Sequence, residues 1–594
     1  LAIPPQTSTI ASHLPKAVGA AFSIGIARAL GLECTPLAPD GVILASFGDA
    51  SANHSTAQGA FNAAAWAAYQ GTPMPIVFLC EDNGIGISTR TPTGWIAHSF
   101  AHRAGLHYIA CDGCDLADAM RGAREAVEYA RAKRRPVFLH MTTVRLYGHA
   151  GSDLQSAYRS ADDIAAEEAR DPLLATAALL IEEGILSAAE IAARYEAIEA
   201  TLAEQADRAI ARPKLADAAA VMASIVPPPR LAAPRPSPSP EARAALFAGD
   251  RALIGQPQPM ARLLSWALAD ILLAHPNAVV MGEDVGPKGG VYNVTAKLHQ
   301  RFGPARVINT LLDEQAILGL AIGAAHNGLL PIPEIQFLAY VHNAEDQIRG
   351  EAATLSFFSN GQFTNPMVIR IAGLPYQKGF GGHFHNDNSL AVFRDIPGLI
   401  LAVPSNGRDA VAMLRECVRL AADEQRVVVF VEPIALYMTR DLHAEGDGLW
   451  ASVYPAPDEE PIELGAIGVA GDGTDLAIVS YANGYYLSRQ AQRLLAERGV
   501  TARVIDLRWL APLPVEALLA ATAPCAAVLI VDECRVTGSP SEGLMTLFAA
   551  RAPGMRLARI TAADSFIALG RAATHTLPSR DSIVAAALAL VAGQ

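Results

Sequence analysis

The sequence of 594 residues predicts an α/β protein built from parallel sheets that are flanked by helices. Residues 42–47 form an apolar run that is typical of a buried parallel strand. An alanine-rich helix, which ends near residue 69, and a second apolar strand at residues 75–80 follow it. The same alternation of strand and helix recurs within residues 278–336 and again from about residue 474. These three stretches predict three α/β modules in one chain.

The composition is that of a large globular protein. A chain of this length is expected to hold three or four domains, and 51% hydrophobic with 18% charged residues gives it ample core. The net charge of −13 argues against a nucleic-acid-binding surface. Because no run of eighteen apolar residues occurs, we expect no membrane span.

The seven cysteines are odd in number and scattered, which predicts reduced thiols and therefore a reducing compartment, the cytoplasm. Cys111 and Cys114 have CxxC spacing, but no second pair accompanies them for zinc, so we expect no redox or metal role. No targeting peptide is visible. The chain starts at Leu1, already inside a motif, so an upstream segment is expected before it.

Small and polar residues follow both strands of the first module. The first strand ends in Gly48-Asp49-Ala50-Ser51, whose small side chains let backbone amides approach an anion, and the second ends in EDNGIG, residues 81–86. Two strands joined through one helix bring Asp49 and Asn83 side by side at the carboxyl edge of the sheet. A carboxylate, an amide oxygen and a loop carbonyl beside a helix N-terminus suit a magnesium-bound diphosphate.

This stretch resembles the thiamine-diphosphate motif, GDG followed at a distance by NN, and it is most similar to the E1 component of 2-oxoacid dehydrogenase complexes. The resemblance implies that Asp49 and Asn83 are side-chain magnesium ligands and that Ile85 gives its carbonyl. It also implies that the turn of residues 48–51, Gly48, Ala50 and Ser51 with Asp49, binds the diphosphate.

Three residues depart from the family motif. Ala50 replaces its last Gly, Asp82 replaces its first Asn, and Ile85 replaces the usual Tyr. A backbone ligand tolerates the change at Ile85.

Residues 7–31 predict a loop and then a helix, with a proline near its first turn and a glycine at its stop. The segment resembles the E1 α segment that supports the cofactor pyrimidine and, in some members, a potassium ion. The matching positions are Ser8 and Ile10 for backbone contacts to the pyrimidine, and Ser12 and His13 for potassium, with His13 in place of an amide.

A helix is predicted at residues 113–133 and a buried strand at 136–144, before the run RxxGHxxSD of residues 145–153. This run resembles the E1 α loop whose histidine lies against the diphosphate and helps dock the lipoyl partner. The resemblance implies these roles for His149, with Arg145 as a companion. Ala150 stands where mitochondrial relatives carry a phosphorylated Ser, so that switch is not expected.

A proline-rich segment divides the chain. Residues 187–211 predict a long amphipathic helix that packs on a neighbour, and residues 226–240 predict a semi-rigid linker. The expected domains are an E1 α-like diphosphate- and magnesium-binding domain (1–225), the linker (226–254), an E1 β-like pyrimidine-binding domain (255–445) and a transketolase C-terminal-like domain (446–594).

Three segments of the second half match the E1 β pattern. They are GEDVG at residues 282–286, LLDEQ at 311–315 and EIQFLAY at 334–340. The resemblance implies that Glu314 hydrogen-bonds N1′ of the aminopyrimidine and that Gln336 and Tyr340 line the cleft, the Tyr340 ring packing on the pyrimidine. An alternative for Glu314 is a charge that offsets the helix dipole. Ala339 stands where the family has Asp.

A histidine pair lies in the following loop. Counted back from Pro397-Gly398, His385 falls on the histidine of the family's HSQSPE loop, and His383 is the alternative. A neutral histidine can shuttle protons near pH 7.

The resemblance covers nearly the whole chain and implies an E1 component with α and β subunits fused. The implied reaction is oxidative decarboxylation of a 2-oxoacid, branched-chain or pyruvate, with acyl transfer to the lipoyl domain of an E2 partner; the implied assembly is a homodimer. One alternative is another thiamine enzyme, an acetoin dehydrogenase or a transketolase-like enzyme. The other is a non-catalytic scaffold, motivated by Ala50, Asp82 and Ala339, and by Glu81, which stands where some relatives have Arg.

Overall fold

The structure, a computed structural model, describes residues 3–7, 9–33, 35–229, 238–377, 381–457, 459 and 461–593. The chain forms two compact units. The N-terminal unit comprises Ser8–Arg28 and Thr35–Ser224, and the C-terminal unit comprises Ile225–Gln594 with the short segments Leu1–Thr7 and Ala29–Cys34.

The N-terminal unit is built on a four-stranded parallel sheet of order β1-β2-β6-β5. Its strands are β1 (Ile43–Gly48), β2 (Ile76–Asp82), the two-residue strands β3 (Ile85–Gly86) and β4 (Thr89–Arg90) of a separate hairpin, β5 (His107–Asp112) and β6 (Val137–Thr142). Its helices are α1 (His13–Ala29), α2 (Ser55–Tyr69), α3 (Trp95–Phe100), α4 (Leu116–Lys133), α5 (Ala161–Glu168), α6 (Pro172–Glu182), α7 (Ala188–Ile210) and α8 (Ala218–Met222).

Phenylalanines fill the space between this sheet and its helices. Phe61 of α2 lies at the centre, with ring centroids 4.9 to 5.7 Å from those of its four neighbours. These neighbours are Phe47 of β1, Phe78 of β2, Phe100 of α3 and Phe138 of β6. Burying these large rings around Phe61 supplies much of the apolar driving force for this unit.

The predicted strand at residues 42–47 is confirmed as β1, but the prediction that it is buried was wrong. Within the described residues β1 ends the sheet, and alternate side chains point outward, so that Leu44 is 60% exposed. An apolar run does not distinguish an edge strand from a central one. The predicted helix near residues 113–133 is confirmed as α4, although it starts at Leu116, because Asp115 accepts hydrogen bonds from two backbone amides there.

The long helix predicted at residues 187–211 is confirmed as α7, with Ser187 and Glu190 forming a reciprocal capping box at its start. None of its residues is buried in the described structure. Four of its large apolar side chains, those of Tyr195, Ile198, Leu202 and Ile210, are more than half exposed. Its packing on a neighbour stays a prediction.

The C-terminal unit holds a seven-stranded sheet of order β16-β11-β12-β10-β9-β7-β8 and a five-stranded sheet of order β13-β15-β14-β17-β18. The strands are β7 (Ala278–Gly282), β8 (Val307–Asn309), β9 (Leu330–Ile335), β10 (Met367–Gly373), β11 (Ile400–Ala402), β12 (Val427–Pro433), β13 (Gly468–Ala470), β14 (Leu476–Ser480), β15 (Ala502–Asp506), β16 (Trp509–Ala511), β17 (Ala527–Arg535) and β18 (Arg556–Ala562).

Helices cover both sheets of this unit. They are α9 (Pro240–Leu246), α10 (Arg251–Ile254), α11 (Met260–Ala274), α12 (Leu298–Phe302), α13 (Glu314–His326), α14 (Val341–Asp346), α15 (Leu355–Phe358), α16 (Ala391–Arg394), α17 (Gly407–Glu424), α18 (Ala482–Ala496), α19 (Val515–Thr522), α20 (Pro540–Arg551) and α21 (Arg580–Ala592). The alternation of strand and helix predicted within residues 278–336 is confirmed by β7, β8, α13 and β9. Helices α11 and α17 pack on the larger sheet, and α18 and α21 pack on the smaller one.

A buried ion cluster lies at the middle of the larger sheet. The guanidinium of Arg370, on β10, donates to Glu432 at 2.6 and 3.0 Å and to Glu334 at 2.6 Å, and Tyr437 also donates to Glu432. Arg370 is 1% exposed. Burial alone would lower the pKa of Arg370, but the two carboxylates raise it above its ordinary value. The arginine therefore stays charged between two neighbouring strands, β9 and β12.

One strand joins the two sheets of the C-terminal unit. Strand β16 follows β15 of the smaller sheet but pairs antiparallel with β11 of the larger one. Beside it, Arg508 pairs with Asp409 at 2.7 Å, and Ser405 donates to Asp506 at 2.8 Å. The two sheets are thus connected by main-chain hydrogen bonds and by buried polar contacts.

In the part of the chain that the structure describes, no helix is long and apolar enough to cross a bilayer. The six described cysteines are free thiols, as predicted for them.

The buried carboxyl of Asp506 makes the stability of this junction depend on pH. Burial, and then the charge of Asp409, raise the pKa of Asp506 from 3.8 to about 7. Because the pKa of Asp506 is higher in the folded than in the unfolded protein, its contribution to the free energy of unfolding is fully present below pH 4. That contribution is lost as the pH rises towards 7. Between pH 5 and pH 8 this group should lower the free energy of unfolding by at most about 3 kcal/mol.

We expect Asp506→Asn to remove most of that loss, because the amide still accepts from Ser405 and carries no charge. Urea unfolding at pH 5 and pH 8 measures the difference in the free energy of unfolding between the two pH values. The control is Asp581→Asn, which changes an exposed aspartate of the same unit. An equal loss between the two pH values in wild type and Asp506→Asn would contradict the assignment.

Candidate active site

Two oxygen-bearing side chains follow β1 and β2 of the N-terminal unit. Because Gly48 pairs with Glu81, Asp49 and Asn83 leave adjacent strands at the same edge of the sheet. Asp49 is 1% exposed, and its Oδ2 accepts a hydrogen bond from Thr91 Oγ1 at 2.6 Å. The Asn83 Oδ1 accepts from the backbone N–H of Ile85 at 3.1 Å. Thr91, which no motif singled out, orients the carboxylate.

The turn after β1 is tightly packed on the loop after β2. Ser51 is buried and begins a short 3₁₀ helix, Ser51–Asn53. A Cβ at Gly86 would lie 2.4 Å from the Cβ of Ala50. The methyl group of Ala50, a departure from the family motif, therefore occupies space that Gly86 leaves open.

Asp82, another of the three departures from the family motif, belongs to a hydrogen-bonded chain that sequence reasoning missed. Its Oδ2 contacts His140 Nε2 at 2.8 Å, and His140 Nδ1 contacts the Tyr108 hydroxyl at 2.7 Å. Its Oδ1 accepts from Gly84 N–H at 3.1 Å. The hydrogen bond from His140 holds the pKa of Asp82 below its ordinary value. Asp82 thus anchors the loop that carries Asn83 and Ile85.

Arg145 ties the loop of residues 145–153 to the same region. Its guanidinium donates to the carbonyl of Ile87 at 2.6 Å and to the Tyr158 hydroxyl at 2.7 Å. Asp153 Oδ2 accepts from Tyr158 at 2.6 Å and from the backbone N–H of His149 at 2.7 Å. These two hydrogen bonds, that of Tyr158 first, hold the pKa of Asp153 below its ordinary value. The His149 side chain is exposed.

The residues predicted to contact the pyrimidine and potassium lie just before and at the start of α1. Ser8 lies outside the described residues, and Ile10 is 50% exposed. Ser12 is buried, and His13, the first residue of α1, contacts the carbonyl of Ser46 at 2.9 Å through Nε2. His13 thereby joins α1 to β1.

Glu314 begins α13 in the C-terminal unit, directly after the capping residue Asp313. It is 8% exposed, and its Oε2 accepts a hydrogen bond from Asn343 Nδ2 at 2.7 Å. Burial raises the pKa of Glu283, and the charges of Glu314 and Asp284 raise it further. Glu283 and Glu314 are therefore close neighbours, and we call the partly exposed polar region around them the cleft. Sequence reasoning missed Asn343, because no motif marks it.

Gln336 and Tyr340 border this cleft after β9. Gln336 Nε2 donates to the carbonyl of Glu283 at 3.3 Å. Burial, followed by the charges of Glu283 and Glu314, raises the pKa of the Tyr340 hydroxyl. Between them, Phe337 contacts the Tyr340 ring at 5.3 Å between centroids. Residues near the carboxyl ends of β7 and β9 thus line the cleft together with Glu314.

The histidine loop, residues 381–390, completes this side of the cleft. The His385 ring lies edge-on to Phe337, with 4.6 Å between centroids, whereas the His383 ring contacts Phe566 at 5.0 Å. Gly381 has φ +58°, and a Cβ there would lie 2.0 Å from His385 Nδ1. Only a glycine leaves room for the histidine. His385 faces the segment of Gln336 and Tyr340, and His383 does not.

The donor set after β1 and β2 suits a hard cation. Asp49, Asn83 and the Ile85 carbonyl offer only oxygen atoms, which magnesium prefers. Among the described residues, no group of three or more His, Cys, Asp or Glu side chains is placed to hold a metal ion. A cation here would therefore need ligands beyond the protein, such as phosphate oxygens.

Three family models match the chain. Residues 9–217 match the dehydrogenase E1 component, residues 256–439 the transketolase pyrimidine binding domain, and residues 465–583 the transketolase C-terminal domain.

Similar proteins cover about half of the chain. The β subunit of 2-oxoisovalerate dehydrogenase from Bacillus subtilis (strain 168) is 36% identical over 261 residues, which are 44% of this chain and 74% of that protein. The β subunit of the pyruvate dehydrogenase E1 component of the same strain is 31% identical over 335 residues, 55% of this chain and 96% of that protein. The corresponding subunit from Leifsonia xyli subsp. xyli (strain CTCB07) is 35% identical over 283 residues, 47% and 77% of the two chains.

Proposed function

Because this chain belongs to the E1 components of the 2-oxoacid dehydrogenases, with α-like and β-like parts in one polypeptide, we propose its full reaction. It decarboxylates a 2-oxoacid, pyruvate or a branched-chain one, oxidatively and transfers the acyl group to the lipoyl domain of an E2 partner. The observation that carries the proposal is the buried carboxyl of Glu314, held by Asn343 in the first turn of α13.

Thiamine diphosphate, when bound, supplies a nucleophilic carbon and accepts the electron pair that decarboxylation releases. We assign magnesium to Asp49, Asn83 and the Ile85 carbonyl, and the diphosphate to the turn of Gly48, Ala50 and Ser51. Two hydrogen bonds support this. The bond from Thr91 orients the Asp49 carboxylate, and the bond between Asp82 and the N–H of Gly84 holds the loop that carries Asn83 and Ile85 before any ligand arrives. Arg145 and His149 are assigned to the diphosphate side.

Glu314 is assigned to N1′ of the aminopyrimidine, where its carboxyl exchanges a proton. Asn343 fixes one carboxyl oxygen and leaves the other for that contact. We assign Gln336 to the cleft wall, and the ring of Tyr340 to packing on the pyrimidine. Ser8 and Ile10 supply backbone contacts to the pyrimidine, and Ser12 and His13 mark the place of a potassium ion.

His385 and His149 receive the substrates. We assign to His385 the exchange of a proton with the bound 2-oxoacid, since its ring faces the segment of Gln336 and Tyr340. The exposed side chain of His149 is assigned to docking the lipoyl group. Residues 1–225 then bind diphosphate and metal, residues 255–445 bind the pyrimidine, and residues 446–594 organise subunits.

A panel of 2-oxoacids with an artificial dye acceptor tests the reaction. We expect dye reduction with pyruvate or a branched-chain 2-oxoacid, dependent on thiamine diphosphate and magnesium. Reduction with acetoin or sugar phosphates but not with any 2-oxoacid would refute the proposal.

Asp49→Ala should abolish thiamine diphosphate binding, because it removes one of few protein oxygens from a dication beside a polyanion. Calorimetric titration with thiamine diphosphate and magnesium measures the affinity. Asp112→Ala is the matched control, since Asp112 ends β5, which lies on the other side of the same sheet from β1. Equal affinities of wild type and Asp49→Ala for thiamine diphosphate would contradict the assignment of Asp49 as a metal ligand.

Glu314→Gln should slow turnover by about a hundredfold or more and leave cofactor affinity nearly unchanged, because its contact matters mainly in the transition state. Proton exchange at C2 of bound thiamine diphosphate, followed by quenched deuterium exchange and NMR, should slow in parallel. The control is Glu542→Gln, which changes another acidic residue in the first turn of a helix of the same unit. Wild-type exchange in Glu314→Gln would refute the role.

We further propose that the protein is a homodimer, since closed two-fold symmetry is the commonest assembly and α7 exposes apolar side chains. Light scattering at micromolar concentration should give twice the chain mass of 62.5 kDa. A fully active monomer would count against it.

A further inference from the structure

The histidine loop is held by a residue of the smaller-sheet part of the unit. Arg535, the last residue of β17, donates to Asp387 Oδ1 at 3.0 Å through Nη2 and to Ser389 Oγ at 2.6 Å through Nη1. Its Nε donates to the carbonyl of Ser565 at 3.1 Å. All three guanidinium nitrogens are therefore engaged, two of them with the histidine loop.

Asp387 also binds the residue that follows β10. It is 6% exposed, its second oxygen accepts from the N–H of Ser389 at 3.1 Å, and its carbonyl accepts from the N–H of Leu374 at 2.9 Å. The neighbouring Asn388 donates to the carbonyl of Glu533, also on β17, at 2.8 Å. A nearly buried carboxylate without its arginine would be costly, so the pair holds the loop in one place.

The position of Asp387 determines the position of His385, two residues earlier. Asn386 between them is fully buried, accepts from the N–H of Gln377 at 3.0 Å and donates to the carbonyl of Gly381 at 3.3 Å. The same Gly381 lies so close to the imidazole that a Cβ would reach Nδ1. The loop is thus a closed turn in which a shift at residue 387 moves the histidine ring.

We propose that Arg535 is a positioning residue for His385, so that the part of the chain around β17 sets the geometry of the candidate active site. The inference rests on the proposed function, in which His385 exchanges a proton with the 2-oxoacid. Arg535 touches neither substrate nor cofactor in this proposal. Its effect passes through Asp387 and Ser389.

We call the hydrogen bonds from Arg535 to Asp387 and Ser389 the clamp. Amide hydrogen exchange of the full chain tests the clamp without measuring activity. In Arg535→Met, peptides that cover residues 381–390 should exchange about tenfold faster or more, because charge-assisted hydrogen bonds are lost. Arg535→Lys should restore part of the protection, since an ammonium cannot donate in a fork to two partners and a carbonyl. Arg551→Met, which removes an exposed arginine paired with Glu516, is the control. Wild-type protection in Arg535→Met would overturn the proposal.

Kinetics then distinguish positioning from general loosening. Arg535→Met should lower kcat by about tenfold to a hundredfold, with a smaller change in KM, because a small displacement of a proton-transfer group costs that much. In a His385→Ala background the same change should have no further effect on kcat. An equal loss of kcat in both backgrounds would overturn a role through His385.

A milder variant covers the case in which Arg535→Met fails to fold. Ser389→Ala removes one loop contact of the arginine and leaves the ion pair, and it should give faster exchange and lower kcat in the same direction. Unchanged exchange and unchanged kcat in Ser389→Ala would contradict the clamp. If exchange quickens as expected while the wild type shows no reaction with any 2-oxoacid, the clamp stands and the proposed function fails.

Discussion

The buried cluster of Arg370 with Glu334 and Glu432 constrains everything that follows the strands of the larger sheet. One guanidinium bridges three adjacent parallel strands, and a slip of one residue would turn it to the other face and leave charges unpaired. Because the register is fixed, the segments after β9 and β10 leave the sheet at fixed positions relative to each other. The cleft beside Glu314 depends on that, because Gln336 and the histidine loop enter from those strand ends.

The sequence was a good guide where a residue pattern has one structural meaning. Apolar runs followed by small and polar residues predicted β1 and β2, and the alanine-rich stretch between them predicted α2. The sequence did not predict which strands lie next to each other in a sheet. Nothing in residues 42–47 says that β1 ends its sheet, and nothing in Trp509–Ala511 says that β16 leaves the smaller sheet for the larger one. Strand order depends on contacts between distant parts of the chain.

The same limit applies to the candidate site. Asp49 follows a predicted strand, and Glu314 stands in a segment that resembles the E1 β pattern, so both were singled out from the sequence. Their hydrogen-bonding partners were not. Asn343 lies 29 residues from Glu314, and Thr91 lies 42 residues from Asp49. Ordinary asparagines and threonines at such separations carry no periodic or spacing signal, and only the folded chain shows which of them meet a carboxylate.

Strand β16 has a consequence for how this protein can be divided. By pairing with β11 it occupies the edge of the larger sheet, so main-chain groups at Ile400–Ala402 already have partners. A fragment that stops before residue 509 would leave that edge open to any extended peptide, including the same edge of another fragment. The part that matches the pyrimidine binding domain model, residues 256–439, is therefore poorly suited to independent expression or to recombination with foreign C-terminal domains. A cut at the apparent module boundary would create a self-associating protein.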